Sequence, residues 1–116
     1  MGKAGEKISC IYLEQIGYQI IERNFNCRQG EIDIIAKDKD EYVFIEVKTR
    51  SNIKFGRPKE AVNKPKQKHI YQSTRFYLYI HKLNNAFIRF DVIEIYFTNY
   101  RYKLKHLKQV EIKGCQ

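Results

Sequence analysis

The chain has 116 residues, of which 43% are hydrophobic and 14% aromatic; this bounds it to one domain, residues 1–116, with a core of its own, and excludes a disordered chain. A formal charge of +9 points to a polyanionic partner or to a solubilising basic face. Three cysteines without CxxC spacing, Cys10, Cys27 and Cys115, exclude a disulfide framework and a zinc ribbon and fit a reducing cytoplasm. The opening MGKAGEKISC has no apolar h-region, and the densest apolar runs, FYLYI and VIEIYF, are too short to span a bilayer. Neither a secretory leader nor a membrane partner is therefore expected.

Residues 3–16 read as a first helix, with Ile8, Tyr12, Leu13 and Ile16 as its apolar stripe and Gly17 as its stop. Glu6 lies near its start, and Cys10 is expected in or beside the core. Residues 18–25 read as a strand and 26–30 as the turn that follows.

The next stretch, GEIDIIAKDKDEYVFIEVKTR over residues 30–50, reads as a hairpin. Ile32, Ile34 and Ala36 alternate onto one face of its first strand, and Val43, Ile45 and Val47 onto one face of its second. With Lys39 and Asp40 at the tip, Ile32 stands opposite Val47, Ile34 opposite Ile45 and Ala36 opposite Val43. The other face then pairs Ile35 with Phe44, Asp33 with Glu46 and Glu31 with Lys48. Two facing carboxylates roughly 5 Å apart cost about 0.2 to 1 kcal/mol in an exposed sheet. A divalent cation offsets that cost, because magnesium takes one or two carboxylates plus waters and phosphate oxygens. Lys48, two residues beyond Glu46 on the same face, can orient a water or stabilise charge on a phosphorus-bound oxygen. The constellation suits metal-assisted phosphodiester hydrolysis. Glu-x-Lys is also common on solvated strands, where Lys48 would only pair with Glu31.

Residues 51–58 read as a loop, Pro58 opens a short helix to Asn63, and Pro65 lies in the first turn of a longer helix to about residue 82. Ile70, Thr74, Tyr77 and Leu78 form its core stripe. Phe76, Tyr79, Ile80 and Leu83 form a second stripe, whose cover is either a second subunit in a homodimer or the C-terminal segment. Residues 86–97 and 102–110 read as two strands, and the Arg89/Asp91 pair in the first of them as structural. The order αβββααββ, with a helical crossover, implies an α/β fold: a mixed β-sheet flanked by helices.

The positive charge is not spread evenly. Residues 54–75 hold seven Lys/Arg against one acid, and residues 99–116 five against one, while residues 1–53 hold eight against nine. A basic surface thus surrounds an acidic centre, as suits a polyanion gripped broadly and approached by metal locally. Arg50, Lys54, Arg57, Lys59, Lys64, Lys66, Lys68 and Arg75 are the expected nucleic-acid contacts.

Five blocks together resemble the YraN family: Gly5-Glu6 in the first helix, NFNCRQGEIDIIA, FIEVKTR, FGRPKEAV ahead of a lysine-rich helix, and RFDVIEI. These small bacterial proteins are predicted endonucleases similar to archaeal Holliday-junction resolvases. The resemblance implies the restriction-endonuclease-like core of the PD-(D/E)xK superfamily. It makes Asp33 and Glu46 the ligands of Mg²⁺ or Mn²⁺, Lys48 the catalytic lysine, and Glu6 an additional acid at the metal. Ile32 stands where that superfamily often has proline. The function so implied is metal-dependent hydrolysis of DNA phosphodiesters, branched or junction DNA included. The rival reading is a non-catalytic nucleic-acid-binding accessory protein with the same fold.

Overall fold

The computed structural model describes residues 2–50 and 64–112, with side chains for 3–50 and 69–112. Helix α1 (Gly2–Gln15) leads into β1 (Gln19–Cys27), β2 (Gly30–Asp38) and β3 (Glu41–Arg50); α2 (Lys64–Ile80) then precedes β4 (Phe87–Phe97) and β5 (Tyr102–Leu107). The expected short helix at 58–63 lies outside the described residues. The five strands form one sheet in the order β1-β2-β3-β4-β5. β3 and β4 run parallel and every other neighbouring pair is antiparallel. The sheet is therefore mixed, and α2 lies on the parallel crossover, as helical connections between parallel strands do.

Each helix covers one face. On the α1 side, Cys10 and Leu13 pack with Ile34, Ala36, Val43, Ile45, Ile93 and Ile95. On the α2 side, Tyr77 packs with Phe25, Ile32, Ile35 and Phe44, and Ile70 with Val92. The core stripe expected on α2 is the buried one: Ile70, Thr74 and Tyr77 face inward, with Leu78 half-buried. Of the second stripe, Phe76, Tyr79 and Ile80 are exposed, whereas Leu83 packs against the α2-side core.

Both helices end by the same device. Gly17 (φ +100) and Lys82 (φ +57) are left-handed. Their N–H groups bond back to Glu14 O at 3.1 Å and Tyr79 O at 3.2 Å. The following N–H groups, of Tyr18 and Leu83, reach Leu13 O at 2.9 Å and Leu78 O at 2.8 Å. These are Schellman caps. The α1 cap turns the chain before Ile16 can complete the stripe, so Ile16 is exposed rather than in the core expected for it.

The β2–β3 hairpin has the anticipated register for Ile34/Ile45, Ile35/Phe44 and Ala36/Val43, and closes at Asp38/Glu41 around Lys39 (φ +57). Its far end departs from the expectation. The ladder stops at Ile34/Ile45, and the pairs Ile32/Val47, Asp33/Glu46 and Glu31/Lys48 do not form. The β1–β2 ladder lacks the neighbouring Asn24/Asp33 pair, and Asn24 is left-handed (φ +54). Both strands turn over at that point. Ile34 faces α1 whereas Ile32, two residues away, packs on the α2 side with Phe25, against the period-two expectation that put both on one face.

A buried polar anchor holds the hairpin end of the sheet. Arg89 donates from Nε and Nη2 to both Asp91 oxygens at 3.0 Å, and from Nη1 to Asp38 and Glu41 at 3.1 Å. Its Nη2 also bonds the Tyr18 hydroxyl. His106 Nε2 donates to Asp91 Oδ2 at 2.7 Å, which in the neutral imidazole leaves Nδ1 to accept from the Tyr12 hydroxyl at 2.8 Å. The Gln109 N–H completes the carboxylate at 3.0 Å. Burial alone would raise the Asp91 carboxyl, but the bonds from His106, Arg89 and Gln109 together hold it below the usual carboxylate range. The Arg89/Asp91 pair is structural, as its sequence context suggested.

Candidate active site

Asp33 lies where the two ladders break. The Asp33 Oδ2 atom accepts a hydrogen bond from the Val47 N–H at 2.8 Å. In an unbroken ladder that N–H would serve the backbone of β2; the turnover at Asn24/Asp33 lets the side chain take the bond instead. The carboxylate of β2 thereby lies against the peptide joining Glu46 to Val47. Glu46 is 5% exposed, and its Oε2 atom stands 4.0 Å from Lys48 Nζ. Asp33 thus reaches the segment that carries Glu46 and Lys48 by bonding the peptide between them, not by facing Glu46 across a regular pair.

Glu6 arrives from the α1 side. The helix approaches β3 closely at Gly5, where an added Cβ would stand 2.5 Å from Thr49 Oγ1 and 3.6 Å from Val47 Cγ1. Only glycine permits that approach without displacing Thr49, which explains Gly5. Glu6 Oε1 is buried and has no hydrogen-bond partner among the described residues; it stands 3.8 Å from Arg23 Nη2. Burial first, then the charge of Asp33, push the Glu6 carboxyl above the usual range; a hydrogen bond with Asn24 and the charge of Arg23 oppose the rise. Among the described residues no three His, Cys, Asp or Glu side chains are grouped closely enough to cage a metal by themselves.

One acid here was not anticipated. Glu94 on β4 is 6% exposed, lies in register with Lys48 across the parallel ladder, and accepts the Tyr96 hydroxyl at 2.8 Å. An acid inside the apolar run VIEI was the available signal, but its neighbour is set by the β3–β4 register, which local alternation does not encode.

The expected nucleic-acid contacts divide. Arg50 ends β3 in register with Tyr96, half-buried, its Nε without a hydrogen-bond partner among the described residues. Arg75 is exposed on α2, its guanidinium 5.9 Å from the Tyr71 ring centre. Lys54, Arg57 and Lys59 lie outside the described residues, and Lys64, Lys66 and Lys68 are placed on α2 by backbone alone. No helix among the described residues is long and apolar enough to cross a membrane.

The family model described as "Uncharacterised protein family UPF0102" matches residues 5–95. A UPF0102 protein of Clostridium perfringens is 52% identical over 111 residues, covering 93% of this chain and 90% of its own length. One from Clostridioides difficile is 50% identical over 100 residues, covering 86% and 88%. One from Caldicellulosiruptor saccharolyticus is 44% identical over 96 residues, covering 83% and 81%. The matched span contains Glu6, Asp33, Glu46, Lys48 and Glu94, and the chain belongs to the UPF0102, or YraN, family.

Proposed function

We propose that this protein is a divalent-cation-dependent endonuclease with a restriction-endonuclease-like core, hydrolysing phosphodiester bonds of DNA, branched or junction DNA included. The observation that carries the reading is the seating of the Asp33 carboxylate on the Val47 N–H, between Glu46 and Lys48 in the chain. It joins an acid on one strand to acid-x-lysine on the next. The mixed sheet with a helix on each face is compatible with that core.

The donors fit magnesium or manganese in kind: Asp33, Glu46 and Glu6 offer only oxygen, and one Glu6 oxygen is buried without a hydrogen-bond partner among the described residues. Asp33 and Glu46 would hold the ion and Glu6 an outer-shell water. When bound, such an ion polarises the scissile phosphate and acidifies water. Lys48, its ammonium kept beside Glu46, orients the attacking water and stabilises charge on a phosphate oxygen. Arg50, two residues on, neutralises a flanking phosphate. A homodimer through the exposed Phe76, Tyr79 and Ile80 would supply two sites for the two symmetric strands of a junction.

A second reading, a DNA-binding accessory protein without catalysis, draws on the lack of a three-carboxylate group among the described residues. The test is cleavage of duplex, single-stranded, flap and four-way DNA by wild type, Asp33→Asn and Lys48→Ala across Mg²⁺ and Mn²⁺ levels. Products from wild type and none from either variant, with DNA affinity retained, are expected. A wild type that binds yet cuts none of these substrates removes the enzyme and leaves the accessory protein.

A further inference from the structure

The basic stretch expected to contact DNA runs from residue 54 to residue 75, but the sheet carries a second basic surface. β5 is an edge strand, and its alternate residues are sorted by face. Leu104 packs into the α1-side core and His106 bonds Tyr12, whereas Leu107 packs on the α2 side beside Val92 and Ile70. Lys103 and Lys105 share the side of Leu107 by the period of two, and both are exposed. That is the side of Phe44 and therefore of Glu46 and Lys48.

The register then draws two rows across three strands. Lys48 pairs with Glu94 and Glu94 with Lys105; Arg50 pairs with Tyr96 and Tyr96 with Lys103. With strands roughly 4.8 Å apart, each β5 lysine stands about 10 Å from its β3 counterpart. The acid between them is engaged, since Glu94 is buried and takes the Tyr96 hydroxyl. Among the described residues neither Lys103 nor Lys105 forms an ion pair. Residues 99–110 contain four Lys/Arg and no acid, so this edge presents unbalanced positive charge next to the Glu46–Lys48 segment.

We propose that Lys103 and Lys105, in line with Arg50, form a track that holds the phosphate backbone of DNA as it enters the candidate site. The inference rests on the nuclease reading for its ligand and adds the surface that positions it. Lysines on an edge strand also deter edge-to-edge pairing between chains, a role in which DNA affinity does not depend on them.

The discriminating experiment is fluorescence anisotropy of labelled duplex and four-way DNA against salt. It compares wild type, the Lys103→Glu/Lys105→Glu and Lys103→Gln/Lys105→Gln pairs, and Lys39→Glu at the far hairpin tip. Loss of two phosphate contacts should flatten the log–log salt slope by about 1.8. Affinity should fall at least tenfold for the Glu pair and less for the Gln pair, while Lys39→Glu stays within twofold of wild type. Melting curves matching wild type establish that the variants fold. Double variants that bind with the wild-type affinity and slope overturn the track alone. A wild type with no salt-dependent affinity for either DNA overturns the nuclease reading, and the track with it.

Discussion

The Asp33 carboxylate occupies the Val47 N–H at 2.8 Å, so a side chain completes the β2–β3 ladder where the backbone of β2 has turned away. This one bond serves folding and the site together, and the two roles separate by substitution. Asparagine keeps an acceptor and loses the charge, whereas alanine leaves a half-buried donor unpaired. Asp33→Asn should melt within a few degrees of wild type and lose at least about 100-fold in metal-dependent cleavage. Asp33→Ala should in addition lose about 1 to 3 kcal/mol of stability. Thermal melts beside cleavage rates check both; equal melts for the two variants would show that the Val47 bond contributes nothing.

Glu6 carries its charge at a cost, because burial and Asp33 raise its carboxyl. The folded chain binds that proton more tightly than the unfolded one. Its favourable share is complete below the unfolded value and is lost as pH rises through the folded one. At neutral pH, Glu6→Gln should therefore raise Tm, on the order of a few degrees, while lowering metal-dependent cleavage. A ligand cation favours the folded state by about 2.7 kcal/mol at a hundred times its dissociation constant. Magnesium should accordingly raise Tm of wild type more than that of Asp33→Asn, measured by calorimetry with and without the ion.

Acid should attack the other end of the sheet. The Asp91 carboxyl is held low by His106, Arg89 and Gln109 against its own burial, so the unfolded chain binds more protons there. The anchor's contribution is complete above the unfolded value and drains away as pH falls through the folded one. Asp91→Asn leaves the Arg89 guanidinium short of its buried partner and should cost about 3 to 5 kcal/mol at neutral pH. It should also flatten the acid limb of stability against pH, read from urea melts at a series of pH values.

Lys82 occupies a left-handed position, φ +57, at the end of α2, where a Cβ is unfavourable and glycine is not. Lys82→Gly should stabilise the chain by about 0.5 to 1 kcal/mol, with no effect on cleavage. Chemical denaturation gives the answer, and a loss of stability would mean that the Lys82 side chain contributes more than its backbone costs.

Much of this architecture was legible from alternation and punctuation. The hairpin tip at Lys39-Asp40, the pairing of Ile34 with Ile45, the buried stripe of α2 and the structural role of Arg89 and Asp91 all follow from local periodicity, and the structure has them. What local periodicity does not encode is non-local. Isoleucines at 32 and 34 look alike in sequence, yet they lie on opposite faces where both ladders break beside a left-handed Asn24. Asparagine tolerates that conformation better than most residues, which is the one trace it leaves in the sequence. The setting of Glu94 is non-local for a related reason: its partner Lys48 is brought alongside by a parallel crossover, and such a register is decided by packing of the whole sheet.

Arg89 and Asp91 start the same strand that later carries Glu94, and they pair with Val43 and Ile45 just ahead of Glu46. Two neighbouring strands therefore divide lengthwise, with a structural clamp at one end and the candidate site at the other. A library of substitutions selected only for a folded chain would be depleted at the clamp and permissive at Glu6. Selected for cleavage, the same library would be depleted at both ends, and the difference between the two screens would trace the boundary of the site residue by residue.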